Sequence, residues 1–454
     1  MRTGKCAAGV SLTGSDLLLR GGFDFLPSCL GGFAMVARTP AILCKTRRQH
    51  TTEQNTPVLR RNKAGAGFAR FMPEVCQAFA APIQPRQRPV RPPHQAASDN
   101  CYVSASPTSR APNRLRFAMK IAILDDYQDA VRKLDCFSLL AGHDVKVFNN
   151  TVKGVGQLSA RIGEAEVLVL IRERTAITAQ LIDKLPRLRV ISQTGRAGNH
   201  IDIDACTARG VAVLEGVGSP IAPAELTWAL IMAAQRRIPQ YVSSLKHGAW
   251  QQSGLKSSSM PPNFGLGQVL RGQTLGLWGY GKIGKLIAGY GKAFGMEVMV
   301  WGREGSREAA AADGLRVAGS KEELFTQSDV LSVHLRLNEE TRHIIKLEDL
   351  QQMKPTALFV NTSRAELVEE NGLITALNRG RPGMAAIDVF ESEPILQGNP
   401  LLRLENCVCT PHIGYVEHES YELYFRVAFQ NIVDFLNGDR AHVANPAALL
   451  GFGR

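Results

Sequence analysis

The sequence predicts an α/β protein of two Rossmann-like, doubly wound parallel-sheet domains, and three observations carry that reading. Short β-rich runs alternate with helical patterns from Met119 onward, and a second alternating series begins beyond residue 273. A glycine-patterned loop joins the first strand and helix of that second series. Strands separated by helices imply parallel pairing with helices on both faces.

The 454 residues give room for two or three domains, and 44% apolar content gives each a core. The net charge of +12 resides in residues 1–118, which hold 17 Lys+Arg against 5 Asp+Glu, so the remainder is balanced at 36 of each. That balance removes the argument for a basic nucleic-acid-binding face on the folded part. The same 118 residues hold 11 of the 23 prolines and show no helical or strand periodicity, so a disordered extension is expected there. Its acid-poor, Arg-rich character also suits a transit peptide, but "MKIAILDDY" at Met119 reads as a natural start and makes the preceding segment a tail without chemistry of its own. The apolar stretch from Leu17 to Leu43 is broken by Arg20, Asp24, Pro27, Arg38 and Pro40, so no membrane span is expected. Cys136, Cys206, Cys407 and Cys409 are too scattered for a disulfide framework or zinc site, and no metal is expected. A reducing, cytoplasmic setting follows.

In chain order, "KIAIL", "DVKVF", "VLVLI", "RVISQTG" and "VAVLEG" supply the strands of a first unit ending near Gly218. "SPIAPAELTWALIMAAQRR" follows with apolar residues on every face, which requires a helix buried between domains or between subunits. His247 to Gln273 is rich in Ser, Gly and Pro and reads as a long loop of the kind that often lines a site. Six further strands, "TLGLWG", "EVMVWG", "DVLSVHL", "ALFVNTS", "MAAIDVF" and "CVCTPHI", suit a nucleotide-binding domain. Glu417 to Asn437 closes the chain as an amphipathic helix with Gly438 at its C-terminal cap.

"LGLWGYGKIGK" carries Gly279-x-Gly281-x-x-Gly284 directly after a strand and at a helix start. The first glycine permits a tight turn, the second lets backbone reach a pyrophosphate, and the third allows close helix–strand packing. A carboxylate at the end of the next strand would accept hydrogen bonds from a ribose 2'-hydroxyl, but the chain reads Trp301-Gly302-Arg303 there. A guanidinium beside a missing acid leans the cofactor from NAD toward NADP, with a solvated or adenine-stacked Arg303 as the alternative.

Arg364, Glu393 and His412 each follow a strand of this second series. Ligands of doubly wound sheets bind outside the carboxyl ends of the strands, so all three can face one cleft. Reducing a 2-keto acid by hydride needs a cation to hold the substrate carboxylate, a proton for the carbonyl oxygen, and an orienting partner for the proton donor. Arg364 offers the planar fork, His412 the proton, and Glu393 a hydrogen bond that favours the charged ring. His334 and His200 lack a carboxylate at a neighbouring strand end and are read as wall residues.

From Met119 to about Leu450 the chain resembles the D-isomer-specific 2-hydroxyacid dehydrogenases, through "LWGYGKIG", "MKPTALFVNTSRAELVEE", "AAIDVFESEP" and "CTPHIGY" in order. The resemblance implies those same roles for Arg364, Glu393 and His412. It implies cofactor contacts at Lys282, Ile283, His334, Leu335, Arg336, Thr362, Ser363, Arg364, Asp388 and Gly414, beside the glycines and the Gly302–Arg303 pair. It also implies a homodimer around the buried helix, and a discontinuous substrate domain with the nucleotide-binding domain inserted in it. The expected divisions are residues 1–118 for the extension, 119–218 for the first part of the substrate domain, 219–412 for the NAD(P)-binding domain and 413–454 for the terminal helix and tail. "IRERT" and "TGRAGNHID" match loops that approach the substrate carboxylate, which makes Arg172, Arg196, Ala197 and Gly198 candidate substrate contacts.

Departures from the usual pattern are Ala365 for a common glycine, Arg336 for a common proline, and Gly302 for the ribose-binding acid. The partner expected is a small 2-keto or 2-hydroxy acid, with neither nucleic acid nor membrane. The alternative is an NAD(H)-sensing, corepressor-like binding protein on the same fold. Formate-dehydrogenase chemistry is disfavoured, because it uses a glutamine where Glu393 stands.

Overall fold

The structure, a computed structural model, describes residues 118–256 and 260–451. Apart from its last residue, the expected disordered extension lies outside them. The first sheet is built from β1 (Lys120–Ile123), β2 (Asp144–Val147), α1 (Val155–Ile162), β3 (Val167–Leu170), α2 (Ala179–Ile182), β4 (Val190–Gln193), α3 (Ile203–Ala208) and β5 (Ala212–Leu214). Its strands lie in the order β2-β1-β3-β4-β5, all parallel. Every residue of β3, β4 and β5 is buried, as parallel strands covered on both faces require.

Two helices then lead across to the second sheet, α4 (Ile221–Gln235) and α5 (Ile238–Lys246). The sheet comprises β6 (Thr274–Trp278), α6 (Lys282–Ala293), β7 (Glu297–Trp301), α7 (Glu304–Ala312), β8 (Arg316–Val317), α8 (Lys321–Gln327), β9 (Val330–Val333), α9 (Leu347–Gln351), β10 (Leu358–Asn361), α10 (Gly372–Asn378), β11 (Met384–Ile387) and β12 (Cys407–Cys409). Its order is β12-β11-β10-β9-β6-β7-β8, again parallel throughout, so the strand order reverses between β6 and β9 beside the glycine loop.

The terminal helix α11 (His418–Leu436) returns to the first sheet. Its Tyr421, Tyr424, Phe425, Phe429 and Ile432 share one core with Ile121, Ile123, Val190 and Leu214, and Ser192 Oγ donates to the Ala428 carbonyl at 2.8 Å. Glu417 caps its N-terminus by accepting from the Ser420 and Glu419 amides, and Gly438 follows it at φ +99°. Helix α4 instead shares a core with Leu275, Leu277, Val360 and Ala386 of the second sheet.

Three features differ from the sequence reading. Strand β8 adds a seventh strand, and α5 occupies residues to which the sequence assigned no element, between the buried helix and the long loop. The long loop does not line the central cleft among its described residues: Leu255, Phe264 and Leu270 fold it onto the α4 core. Cys136, Cys206, Cys407 and Cys409 are free thiols, with 3.6 Å between the sulfurs of the last two, and no metal-binding cluster occurs among the described residues.

Candidate active site

The loop after β10 is shaped by Asn361. Its side chain donates to the Arg364 carbonyl at 2.8 Å and accepts from the Ser363 amide at 3.0 Å, while Ser363 Oγ donates to the Val333 carbonyl. This clamp aims Arg364 into the cleft. The loop after β12 is shaped by Asp388, a residue 1% exposed at the end of β11. It accepts from Thr410 Oγ1 at 2.6 Å and from the amides of Ile413 and Gly414 at 2.9 Å each. Those bonds hold His412 in the left-handed region at φ +53°.

His412 Nδ1 donates to Glu393 Oε2 at 2.6 Å, and the Phe390 amide donates to Glu393 Oε1 at 3.0 Å. Burial acts to raise the Glu393 carboxyl, but the hydrogen bond and charge of His412, the Phe390 amide and Arg364 outweigh it, so it lies below the usual carboxylate range. Glu393 is therefore an acceptor at neutral pH, and Nε2 is the ring atom left for proton exchange. The other candidate acids are unsuited to that task. Desolvation lowers His200, and it pushes His334 down to about 4, so both rings are neutral.

Arg364, Glu393 and His412 line one cleft of about 480 Å³, together with Arg172, Gly198, Ile283, Leu335, Arg336, Thr362, Ser363, Asp388 and Gly414. Arg196 is exposed and Ala197 donates its amide to Glu215 Oε1 at 2.8 Å; neither lines the cleft. Gly279, Gly281, Lys282, Gly284, Gly302, Arg303 and His334 also stand outside its lining, at or beside the ends of β6, β7 and β9.

The glycines fit a dinucleotide. Gly279 has φ +103°, and a Cβ there would stand 2.5 Å from the His334 carbonyl oxygen. A Cβ at Gly284 would stand 2.4 Å from the Gly279 carbonyl oxygen, so the helix can sit against the strand only with glycine. At Gly281 a Cβ would meet nothing within 4 Å, and no side chain caps the start of α6, which leaves a cradle beside first-turn amides. At the end of β7, Arg303 is exposed, and Arg307, its guanidinium 5.1 Å from the centre of the Trp301 ring, leaves Nε buried without a partner.

Several cleft residues were not singled out as site residues in the sequence. Glu173 Oε1 and Oε2 accept from Arg364 Nη2 and Nε at 2.7 and 3.3 Å, across 191 residues of chain. Tyr415 and Tyr424 lie beneath the Arg172 guanidinium at 5.6 and 5.5 Å, and the His412 and Tyr415 rings meet edge to face at 5.8 Å. Glu173 lies inside the quoted "IRERT", and Tyr415 three residues past His412, so a local signal existed for both.

The family described as "D-isomer specific 2-hydroxyacid dehydrogenase, NAD binding domain" matches residues 228–414. A glyoxylate reductase of Aeropyrum pernix is 38% identical over 283 residues, 62% of this chain and 83% of that relative. A D-3-phosphoglycerate dehydrogenase of Methanocaldococcus jannaschii is 35% identical over 71% of this chain, but the match spans only 58% of that longer protein. A crystal structure from Ralstonia solanacearum, provisionally assigned as a D-3-phosphoglycerate dehydrogenase oxidoreductase, is 75% identical and covers 73% of this chain and 98% of its own, with a TM-score of 0.73.

Proposed function

Because the chain belongs to the D-isomer specific 2-hydroxyacid dehydrogenase family, oxidoreductases that interconvert 2-keto and D-2-hydroxy acids with a nicotinamide cofactor, we propose that it works mainly as a reductase of small 2-keto acids through Arg364, Glu393 and His412. A nicotinamide cofactor, when bound, would supply the hydride. Arg364 holds the substrate carboxylate and polarises the carbonyl oxygen, His412 delivers its Nε2 proton to that oxygen, and Glu393 fixes the ring through Nδ1. In the oxidising direction the neutral His412 takes the proton back. Gly281 with Lys282 and Ile283 would hold the pyrophosphate, on the turn and helix packing that Gly279 and Gly284 permit; Thr362, Ser363, Gly414 and the β9 loop would flank the nicotinamide.

The observation that carries the reading is the 2.6 Å contact between His412 and Glu393 in the same cleft as Arg364. It is tested by NADPH and NADH consumption with glyoxylate, hydroxypyruvate and other keto acids, against an Arg364→Ala variant. Turnover well above the variant supports it, and equal slow rates would favour the nucleotide-sensing alternative. The relatives above carry reductase and dehydrogenase names and give that alternative no support.

NADP is the cofactor we favour, because Gly302 offers no carboxylate and two guanidinia, Arg303 and Arg307, stand beside it. A dimer is proposed on α5, where Ile238, Val242 and Leu245 form an exposed apolar stripe at 49%, 46% and 57%. Four free thiols among the described residues favour a cytoplasmic setting, and no described helix is long and apolar enough to cross a membrane.

A further inference from the structure

The reading above needs Arg364 to receive a substrate carboxylate, yet each nitrogen of that guanidinium is already donating. Nη1 bonds the Ser363 carbonyl at 2.6 Å, and Nε and Nη2 form a fork on the Glu173 carboxylate. The fork is the geometry by which a guanidinium takes a substrate carboxylate, so Glu173 stands in for one. It is held there by its own loop. Arg172, at φ +53°, donates its amide to Thr194 Oγ1 at 3.0 Å and accepts from Gln193 Nε2 at 2.7 Å, which fixes the turn that projects Glu173 toward the second sheet.

We propose that Glu173 is the charge-selective residue of the substrate site: it competes with the substrate carboxylate for Arg364 and, once displaced, turns away 2-keto acids that carry a second anionic group. The inference rests on the proposed reductase reading and narrows its substrate class to monocarboxylic 2-keto acids. Glu173 stands at the cleft wall beside Gly198 and the ring of His200, which brings no compensating charge because desolvation keeps it neutral. The cleft lining also holds Arg172, Arg174 and Arg336, the first two in contact with its walls. Arg174 donates to the Asp125 carbonyl at 2.6 Å and lies 4.7 Å over the Tyr127 ring, and Arg172 lies over Tyr415 and Tyr424. A second carboxylate seated against Glu173 itself meets a like charge in a partly desolvated cleft, where unit charges at contact distance still interact strongly.

The test compares the wild-type chain with Glu173→Gln, which keeps the shape and removes the charge. Turnover is measured with pyruvate and oxaloacetate, and the binding of oxamate, an unreactive monocarboxylate of similar shape, by titration calorimetry. Wild type should prefer pyruvate, and the variant should shrink the pyruvate-to-oxaloacetate ratio of kcat/KM by about tenfold and bind oxamate about tenfold more tightly. An unchanged ratio, a wild-type preference for the dianion, or unaltered oxamate affinity would overturn the inference. A variant inactive on both acids would do so as well, by making Glu173 a requirement for turnover. If wild type turns over no keto acid, the reductase reading fails, and the oxamate titration still decides whether Glu173 competes for Arg364.

Discussion

At the residue scale, the site depends on side chains that satisfy one another before any substrate arrives. Asp388 gives its carboxylate to the loop that carries His412, and Asn361 gives its amide to the loop that carries Arg364. Replacing Arg364 with Lys keeps the charge but loses the fork, and kcat/KM for the keto acid should fall about 10- to 100-fold, mostly through KM. Steady-state kinetics check it. The pH profile gives a second check. Glu393 lies below its unfolded value of about 4.3, so its contribution is complete above that pH and is lost only as pH falls through the lower folded value. The acid limb of kcat/KM due to this carboxyl should therefore lie below about pH 4.3, and Glu393→Gln should abolish it while lowering kcat throughout. The triad was legible in the sequence because each member follows a strand. The partnership of Glu173 with Arg364 was not, since it joins loops of two different sheets and leaves no trace in local spacing.

Among the elements, the glycine loop separates two physical roles that the motif alone merges. Gly284→Ala forces a Cβ to within 2.4 Å of a carbonyl oxygen and should destabilise the fold by about 1–3 kcal/mol. Gly281→Ala meets no protein atom and should leave the unfolding midpoint unchanged while weakening NADPH and NADH binding. Denaturant unfolding together with cofactor titration distinguishes them, and a large stability loss at Gly281 would contradict the assignment. Eleven of the twelve strands were readable, because continuous buried runs of Val, Ile, Leu and Ala announce parallel strands. Strand β8 is two residues long and carries no period, whereas α5 does carry a helical one at Ile238, Val242 and Leu245, obscured by Pro239 in its first turn and by Ser243 and Ser244. Helix α11 was legible as a helix, but its place in the first sheet's core followed only from the family resemblance.

On the scale of the whole molecule, the chain leaves the second sheet through the loop bearing His412 and re-enters the first sheet's core within a few residues, at Tyr415 and Tyr421. His412 thus sits at the junction of the two sheets. Phe429→Ala, at a fully buried position of α11, should cost about 3–5 kcal/mol of unfolding free energy. If the exposed stripe of α5 forms the dimer, Val242→Asp combined with Leu245→Asp should halve the mass found by light scattering, whereas an unchanged mass would place the interface elsewhere.

The account turns on His412 giving its proton to a keto acid held by Arg364, and the turnover of His412→Asn with saturating NADPH and glyoxylate tests this most directly. A fall in kcat of about 10² to 10⁴, with cofactor affinity unchanged, is the expected result for loss of a general acid. A kcat within a few-fold of wild type would contradict it.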